Sequence, residues 1–283
     1  MAPPITLAGQ ALRDKARDLR LDILDMTTKA GSGHPSSSWS ATDIVTALYF
    51  GGVMKVDPAN PWKEDRDRFI MSKGHAAPLL YAALAHAGYF SREELWTLRE
   101  VGSPVQGHPV LGCMPGVEAT TGSLGQGLSL GLGHVLGGRL SGTPFRVYVL
   151  LGDGECEAGQ IWEAAMAASH YQAGELTAIL DYNKYQETGP IAREIGLEPL
   201  VDKWRAFGWH VEEVNGHDIE AVIDKLALCK QLEAAGQPQI IIAHTIKGKG
   251  VSFVETDYTW HGRAVKDLAQ VERAREEIQH AAR

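Results

Sequence analysis

Three cysteines in 283 residues, Cys113, Cys156 and Cys229, are too few and too widely spaced for a disulfide framework, and they fit a reducing compartment. Cys156 reads as a small buried apolar residue. No apolar run approaches the ~18 residues that a membrane span requires, and the N-terminus carries no secretory pattern. A soluble, cytoplasmic protein is expected. There is no block of Lys and Arg, and the formal net charge is −8, so neither nucleic acid nor anionic membrane is an expected partner. Internal repeats, low-complexity segments and linkers are also missing. Residues 1–283 therefore read as one domain with helical extensions at both ends. Hydrophobic residues make up 44% of the chain, ample for a core.

The most informative stretch spans 147–183. An apolar, β-branched run ends in Gly152-Asp153-Gly154, the pattern of a buried strand closing in a tight turn. Ile161, Ala164, Ala165 and Ala168 then recur at helical spacing, and a second apolar run, 176–180, leads into Asp181-Tyr182-Asn183. Strand, turn, helix and strand in that order put polar oxygens at the C-terminal ends of two strands, the edge where parallel sheets bind ligands. A dinucleotide site is a poor match. Gly152, Gly154 and Gly159 break the GxGxxG spacing, and the Asp153 carboxylate repels a pyrophosphate unless a cation lies between them. Asp153, the Asn183 side chain and the Tyr185 carbonyl make an all-oxygen set suited to Mg²⁺ or Ca²⁺, with a diphosphate as a source of further ligands. The same residues also read as a helix cap and an ordinary turn, and spacing alone leaves both readings open.

Histidines gather at turns. Gly33-His34-Pro35, Gly74-His75 and Gly107-His108-Pro109 each precede a helix or turn, and His261 lies in a polar loop near the C-terminus. Pro35 suits the first turn of a helix, 36–38 supply capping hydroxyls, and His34 precedes a helix N-terminus that favours anions. One such histidine is ordinarily a cap or a surface residue; three beside an oxygen-ligand motif point to a site. A zinc centre made of His34, His75, His108 and His261 is the alternative, although their spacings form no short paired ligand motif. Gly122, Gly125 and Gly127 permit close approach of another backbone or a flat ligand.

Elsewhere helical and strand periodicities alternate. Helices are expected over 9–28, 40–50, 76–87, from the glycine-rich stretch to about 140, and over 200–207, 219–235 and 266–283. Strands are expected over 68–72, 209–214 and 239–245, and residues 1–8 are expected to be irregular. The class that follows is α/β, a doubly wound and mainly parallel sheet flanked by helices.

On these residues the chain resembles the transketolase family. The likeness covers about residues 10–265 and rests on KAGSGHPSSS, RFIMSKGHAAPLLYAAL, GHP, PGVEATTGSLGQG, GDG followed by DYN, and IKGKG followed by WHG, in that order. The resemblance implies a thiamine diphosphate-binding domain in which Asp153, Asn183 and the Tyr185 carbonyl hold Mg²⁺, with Ca²⁺ as a substitute. It implies that His75 and His261 contact the cofactor diphosphate, aided by the Gly154 amide and with Lys247 nearby. Gly122 and Leu124 are then expected against the aminopyrimidine and the ring junction. His34, His108 and His261 become the catalytic histidines, facing the hydroxyls of a donor ketose. The implied reaction transfers a two-carbon ketol unit from a ketose or its phosphate to an aldose or its phosphate. Histidine suits it, because it titrates near neutrality and can take a hydroxyl proton and return it.

Two departures from the family pattern matter. The pyrimidine-binding domain, with the glutamate that activates the cofactor, is missing, as is the family's C-terminal domain. A separate C-terminal subunit is expected to supply them, and a heterotetramer is the expected assembly. Ala158 stands where the family usually has Glu, as in deoxyxylulose-phosphate synthase. That keeps open a decarboxylating relative that condenses a 2-oxo acid with an aldehyde. A non-catalytic scaffold subunit is the third reading. Retention of all four histidines favours the ketose donor over both.

Overall fold

The computed structural model describes residues 6–280; most of the irregular start expected over 1–8, and the last residues of the helix expected to 283, lie outside the described residues. In chain order, α1 (Gln10–Ala30), α2 (Pro35–Ser40) and α3 (Thr42–Phe50) precede β1 (Arg68–Met71), α4 (Ala77–Ala87) and α5 (Gly127–Leu140). Then come β2 (Val147–Gly152), α6 (Gly159–His170), β3 (Leu176–Tyr182), α7 (Ile191–Glu194) and α8 (Leu200–Ala206). The chain continues through β4 (His210–Asn215), α9 (Ile219–Gln231), β5 (Gln239–His244) and α10 (Leu268–His280). The strands form one parallel sheet in the order β1-β2-β3-β5-β4, flanked by helices as the α/β reading requires.

Period-two alternation divides the core between the two faces of this sheet. Leu150, Ile179, Ile241 and Ala243 pack with α1, α3, α4, α9 and α10. Val149, Leu151, Ala178, Leu180 and Ile242 pack on the opposite face with α5, α6 and α8. Cover on both faces explains why β2, β3 and β5 read as nearly unbroken apolar runs. Each buried Val, Leu or Ile side chain contributes roughly 1.5–3 kcal/mol.

Two expectations change. The helix expected over 40–50 is α3, which starts at Thr42, and the short α2 ends ahead of it at Ser40, with Ala41 at φ −97°, ψ 3° between them. Pro35 does open a helix, but the hydroxyls behind it do not cap it. Ser36 Oγ donates to the Trp260 carbonyl at 3.0 Å, and Ser38 Oγ donates to the His34 carbonyl at 3.0 Å. α2 is fully buried, so its hydroxyls satisfy neighbouring loops instead of free amides. Second, Gly154–Glu157 forms a 3₁₀ turn, which delays the helix after β2 until Gly159. Among the described residues no helix is long and apolar enough to cross a membrane.

Candidate active site

Four adjacent strands deliver their following loops to one place. β1 leads to Lys73 and His75, β2 to Asp153, β3 to Asn183, and β5 to Lys247. This C-terminal edge buries charge: Lys73, Lys247, Asp153 and Asp181 are each at most 2% exposed. Lys73 pairs with Asp181 Oδ2 and donates to the Ser37 carbonyl at 3.0 Å. Asp181 also accepts from Ser40 Oγ, Asn183 Nδ2 and Thr245 Oγ1. Burial pushes the Asp181 carboxyl up, but Lys73 and these donors outweigh it and hold it below its ordinary value. Lys247 has no ion-pair partner among the described residues. Its Nζ donates to Ser37 Oγ at 3.2 Å and meets His261 Nδ1 at 3.0 Å. Burial, with Lys73 nearby, brings it down to about 8. An ammonium only donates, so His261 Nδ1 accepts and the ring proton sits on Nε2.

The four histidines converge from four separate segments. Ring centroids lie 5.1 Å apart for His34 and His75, 5.0 Å for His75 and His261, 5.5 Å for His34 and His261, and 6.3 Å for His34 and His108. Burial lowers His34 to about 4 and His261 to about 2, and it also lowers His75 and His108. Neighbouring cations add to this: Lys73 and Lys247 at His75 and His261, Arg99 at His34 and His108. All four rings are neutral at pH 7, so each has one acceptor nitrogen, which in His261 is already taken by Lys247. His34 Nδ1 is buried with no hydrogen-bond partner. A Cβ on Gly74 would stand 2.7 Å from the Gly122 amide nitrogen, and one on Gly122 3.1 Å from the His108 ring. Only glycine at both positions lets the His75 and His108 loops meet.

A cavity of about 240 Å³ opens among Lys73, His75, Asp153, Asn183, Lys247 and His261, and the exposed Leu124 also lines it. Tyr185 borders the same cavity. Asp153 Oδ1 accepts from the Gly154 amide at 2.9 Å and Oδ2 from the Lys184 amide at 2.5 Å; Asn183 Oδ1 accepts from the Tyr185 amide at 3.1 Å. The Gly154 amide, expected to face a diphosphate, is thus turned onto Asp153. Burial and the Asp181 charge raise Asp153 to about 7. A buried carboxylate without a cation, beside an amide oxygen and a backbone carbonyl, fits a hard divalent ion. The spare donors of Lys73 and Lys247 beside it fit a diphosphate. Among the described residues, no three His, Cys, Asp or Glu side chains group as a metal centre, so the zinc alternative has no donor set.

Lys73, Ser37 and Glu155 escaped the sequence reading. Glu155, 2% exposed, accepts from Ser72 Oγ, the Gly125 amide at 2.9 Å and the Gly152 amide at 3.0 Å, tying the glycine loop to the strand ends. Ala158 packs on that loop too, its Cβ 2.9 Å from where a Cβ on Gly125 would stand. The available signal for Lys73 was its place directly after the apolar run of β1, where an extended chain carries it to the ligand edge.

The family profile described as transketolase, thiamine diphosphate binding domain, matches residues 12–281. The 6-deoxy-6-sulfo-D-fructose transketolase subunit SqwG of Clostridium sp. (strain MSTE9) is 44% identical over 250 residues, 88% of this chain and 90% of that protein. An apulose-4-phosphate transketolase subunit of Phocaeicola vulgatus is 40% identical over 273 residues, 96% of this chain and 94% of that protein. Human transketolase is 42% identical over 264 residues, 92% of this chain but 41% of the longer protein. The crystal structure of Campylobacter jejuni transketolase superimposes with a TM-score of 0.90 at 31% identity, covering 96% of this chain and 43% of that one.

Proposed function

This chain belongs to the transketolase family, as its thiamine diphosphate binding domain, and from that premise we propose that it is one subunit of a two-chain transketolase. It is a transferase subunit, moving a two-carbon ketol unit from a ketose or its phosphate to an aldose or its phosphate. The observation that carries this reading is a cluster of four neutral histidines at the sheet's C-terminal edge, two of which, His75 and His261, line one cavity together with two buried lysines.

Thiamine diphosphate, when bound, supplies the electron sink for breaking the bond beside the ketose carbonyl. Lys247, His75 and His261 would hold its diphosphate, together with Lys73. Asp153, Asn183 and the Tyr185 carbonyl would hold Mg²⁺, or Ca²⁺ in its place, and Gly122 and Leu124 would line the ring side. The Gly154 amide acts indirectly, by orienting Asp153. His261 donates from Nε2 to a sugar oxygen, because Lys247 occupies Nδ1. His34 and His108, neutral at pH 7, accept hydrogen bonds from the sugar hydroxyls and take a proton from the hydroxyl oxygen next to the bond that breaks.

A C-terminal subunit would supply the pyrimidine-binding domain and the activating glutamate, in a heterotetramer in the cytoplasm. Support for a partner is that the chain spans at least nine-tenths of two relatives named as subunits, yet 41% of human transketolase. The family match over 12–281 and the single sheet support one domain across 1–283. Mixing this chain with its C-terminal subunit is expected to give turnover of a ketose and an aldose phosphate that requires both Mg²⁺ and thiamine diphosphate. Either chain alone is expected to be inert, and full turnover by this chain alone would refute the two-chain reading.

A further inference from the structure

A second cavity, of about 140 Å³, lies where α1, α3 and α10 meet the loop after β5. It shares no lining residue with the cavity of the active site. Its charged lining is one-sided. Arg13, Arg17 and Arg20, at helical spacing on one face of α1, and Lys249 of the loop stand against a single carboxylate, Asp43 of α3. That carboxylate is already engaged. Arg20 Nη1 and Nη2 donate to its two oxygens at 3.0 and 2.6 Å. The Ile246 amide donates to His217 Nε2 at 2.8 Å, so the ring proton lies on Nδ1, which donates to Asp43 Oδ2 at 2.8 Å.

One donor of Arg20 is left over. The residue is 9% exposed, and its Nε is buried without a hydrogen-bond partner among the described residues. A buried donor in that state bears its full desolvation cost until an acceptor reaches it. Nε faces the cavity beside Gly250, where a Cβ would stand 3.8 Å from Nε and 3.9 Å from Ile278 Cγ1. Glycine at this position, with φ 97°, keeps the space between Arg20 and α10 open. The other cations also keep capacity. Arg13 pairs with Glu220, and Arg17 with Asp14 and Asp18; each of these carboxylates is at least 42% exposed and none lines the cavity. Such exposed pairs are weak and yield readily to another anion. Lys249 Nζ stands 3.8 Å from Glu255, beyond hydrogen-bond range.

Guanidinium donors in a fixed plane beside an ammonium match a tetrahedral oxyanion. A water occupies roughly 30 Å³, so the cavity has room for a phosphate group. We propose that this cavity binds a phosphate oxyanion, as the free ion or as a small monoester, which bridges Arg20 to Lys249 and anchors the loop that carries Lys247 to α1.

The test is amide hydrogen exchange of the full chain at constant ionic strength, with inorganic phosphate, with glycerol 1-phosphate, or with chloride alone. Slower exchange is expected over 13–20 and 246–251 with phosphate relative to chloride. Whichever of the two phosphates acts at the lower concentration distinguishes the free ion from the ester. In calorimetric titration, Arg17→Gln and Lys249→Gln are each expected to weaken that binding about tenfold or more, while Lys247→Met leaves it within about twofold. Protection confined to 73–75 and 153–154, or binding lost in Lys247→Met and kept in Lys249→Gln, would put the anion in the active-site cavity and overturn the proposal. No difference between either phosphate and chloride would overturn it as well.

Discussion

On the faces of the sheet, Val149, Leu150, Ile179 and Ile241 are completely buried among apolar side chains. Just past the C-terminal ends of the same strands, Lys73, Asp153 and Lys247 are buried almost as deeply, and Asp181 is buried near the end of β3 itself. The faces gain from removing area from water. The edge bears the cost of removing charge from water, offset only where a partner stands opposite, as Asp181 does for Lys73. Stability therefore resides in the faces, while the edge is a net load retained for what it binds. Within the edge there is a further division. Lys73 has its carboxylate, whereas Lys247 and Asp153 face each other's cavity without an ion pair.

The largest expected effect lies in catalysis. Replacing His34 and His261 together with alanine should lower turnover of the two-chain complex by about 10²–10⁴-fold. The urea midpoint of the chain should stay constant or rise, since neither ring belongs to the apolar core; a large drop in midpoint would erase the contrast between edge and faces. Next comes Lys73→Met, which strands a buried Asp181 and should cost about 3–5 kcal/mol in chemical denaturation. Lys247→Met strands no carboxylate, so it should cost little or nothing in stability while weakening thiamine diphosphate binding. Equal destabilisation by the two would contradict the division drawn between them. On the faces, Ile241→Val should cost about 0.5–1.5 kcal/mol and leave kcat untouched.

The smallest effect is a pH drift in the stability of the isolated chain. His34 and His261 have folded values of about 4 and about 2, below the ordinary 6.5, so the folded chain binds fewer protons than the unfolded one below neutrality. Their contribution is complete above about pH 6.5 and is lost as pH falls toward the folded values. Both residues are only partly buried, which blunts the loss. Thermal melts from pH 7.5 to 5 should show a falling midpoint, and the His34→Ala, His261→Ala chain should show a flatter one.

The faces were legible in the sequence because burial on both sides writes itself as nearly continuous apolar runs in β2, β3 and β5. The histidines were legible because three of them share a Gly-His turn, and the order of motifs tied the fourth to them. Lys73 was not, since a lysine after a strand ordinarily reaches solvent, and its burial depends on Asp181, 108 residues away. Arg20 was hidden in the same way: its contacts come from Asp43, 23 residues away, and from Gly250 in the loop after β5. The break at Ala41 leaves no periodic trace, because the residues on both sides are buried all round. The family resemblance assigned the Gly154 amide to the diphosphate; in this structure that amide donates to the Asp153 carboxylate beside it, a local contact that no motif records.

The central claim is that this edge is half of a site. Calorimetric titration of thiamine diphosphate with Mg²⁺ into the chain, first alone and then with its C-terminal subunit, tests it most directly. Tight binding is expected only when both subunits are present, since the proposed function gives the pyrimidine side of the cofactor to the partner. Equally tight binding to this chain by itself would contradict that claim.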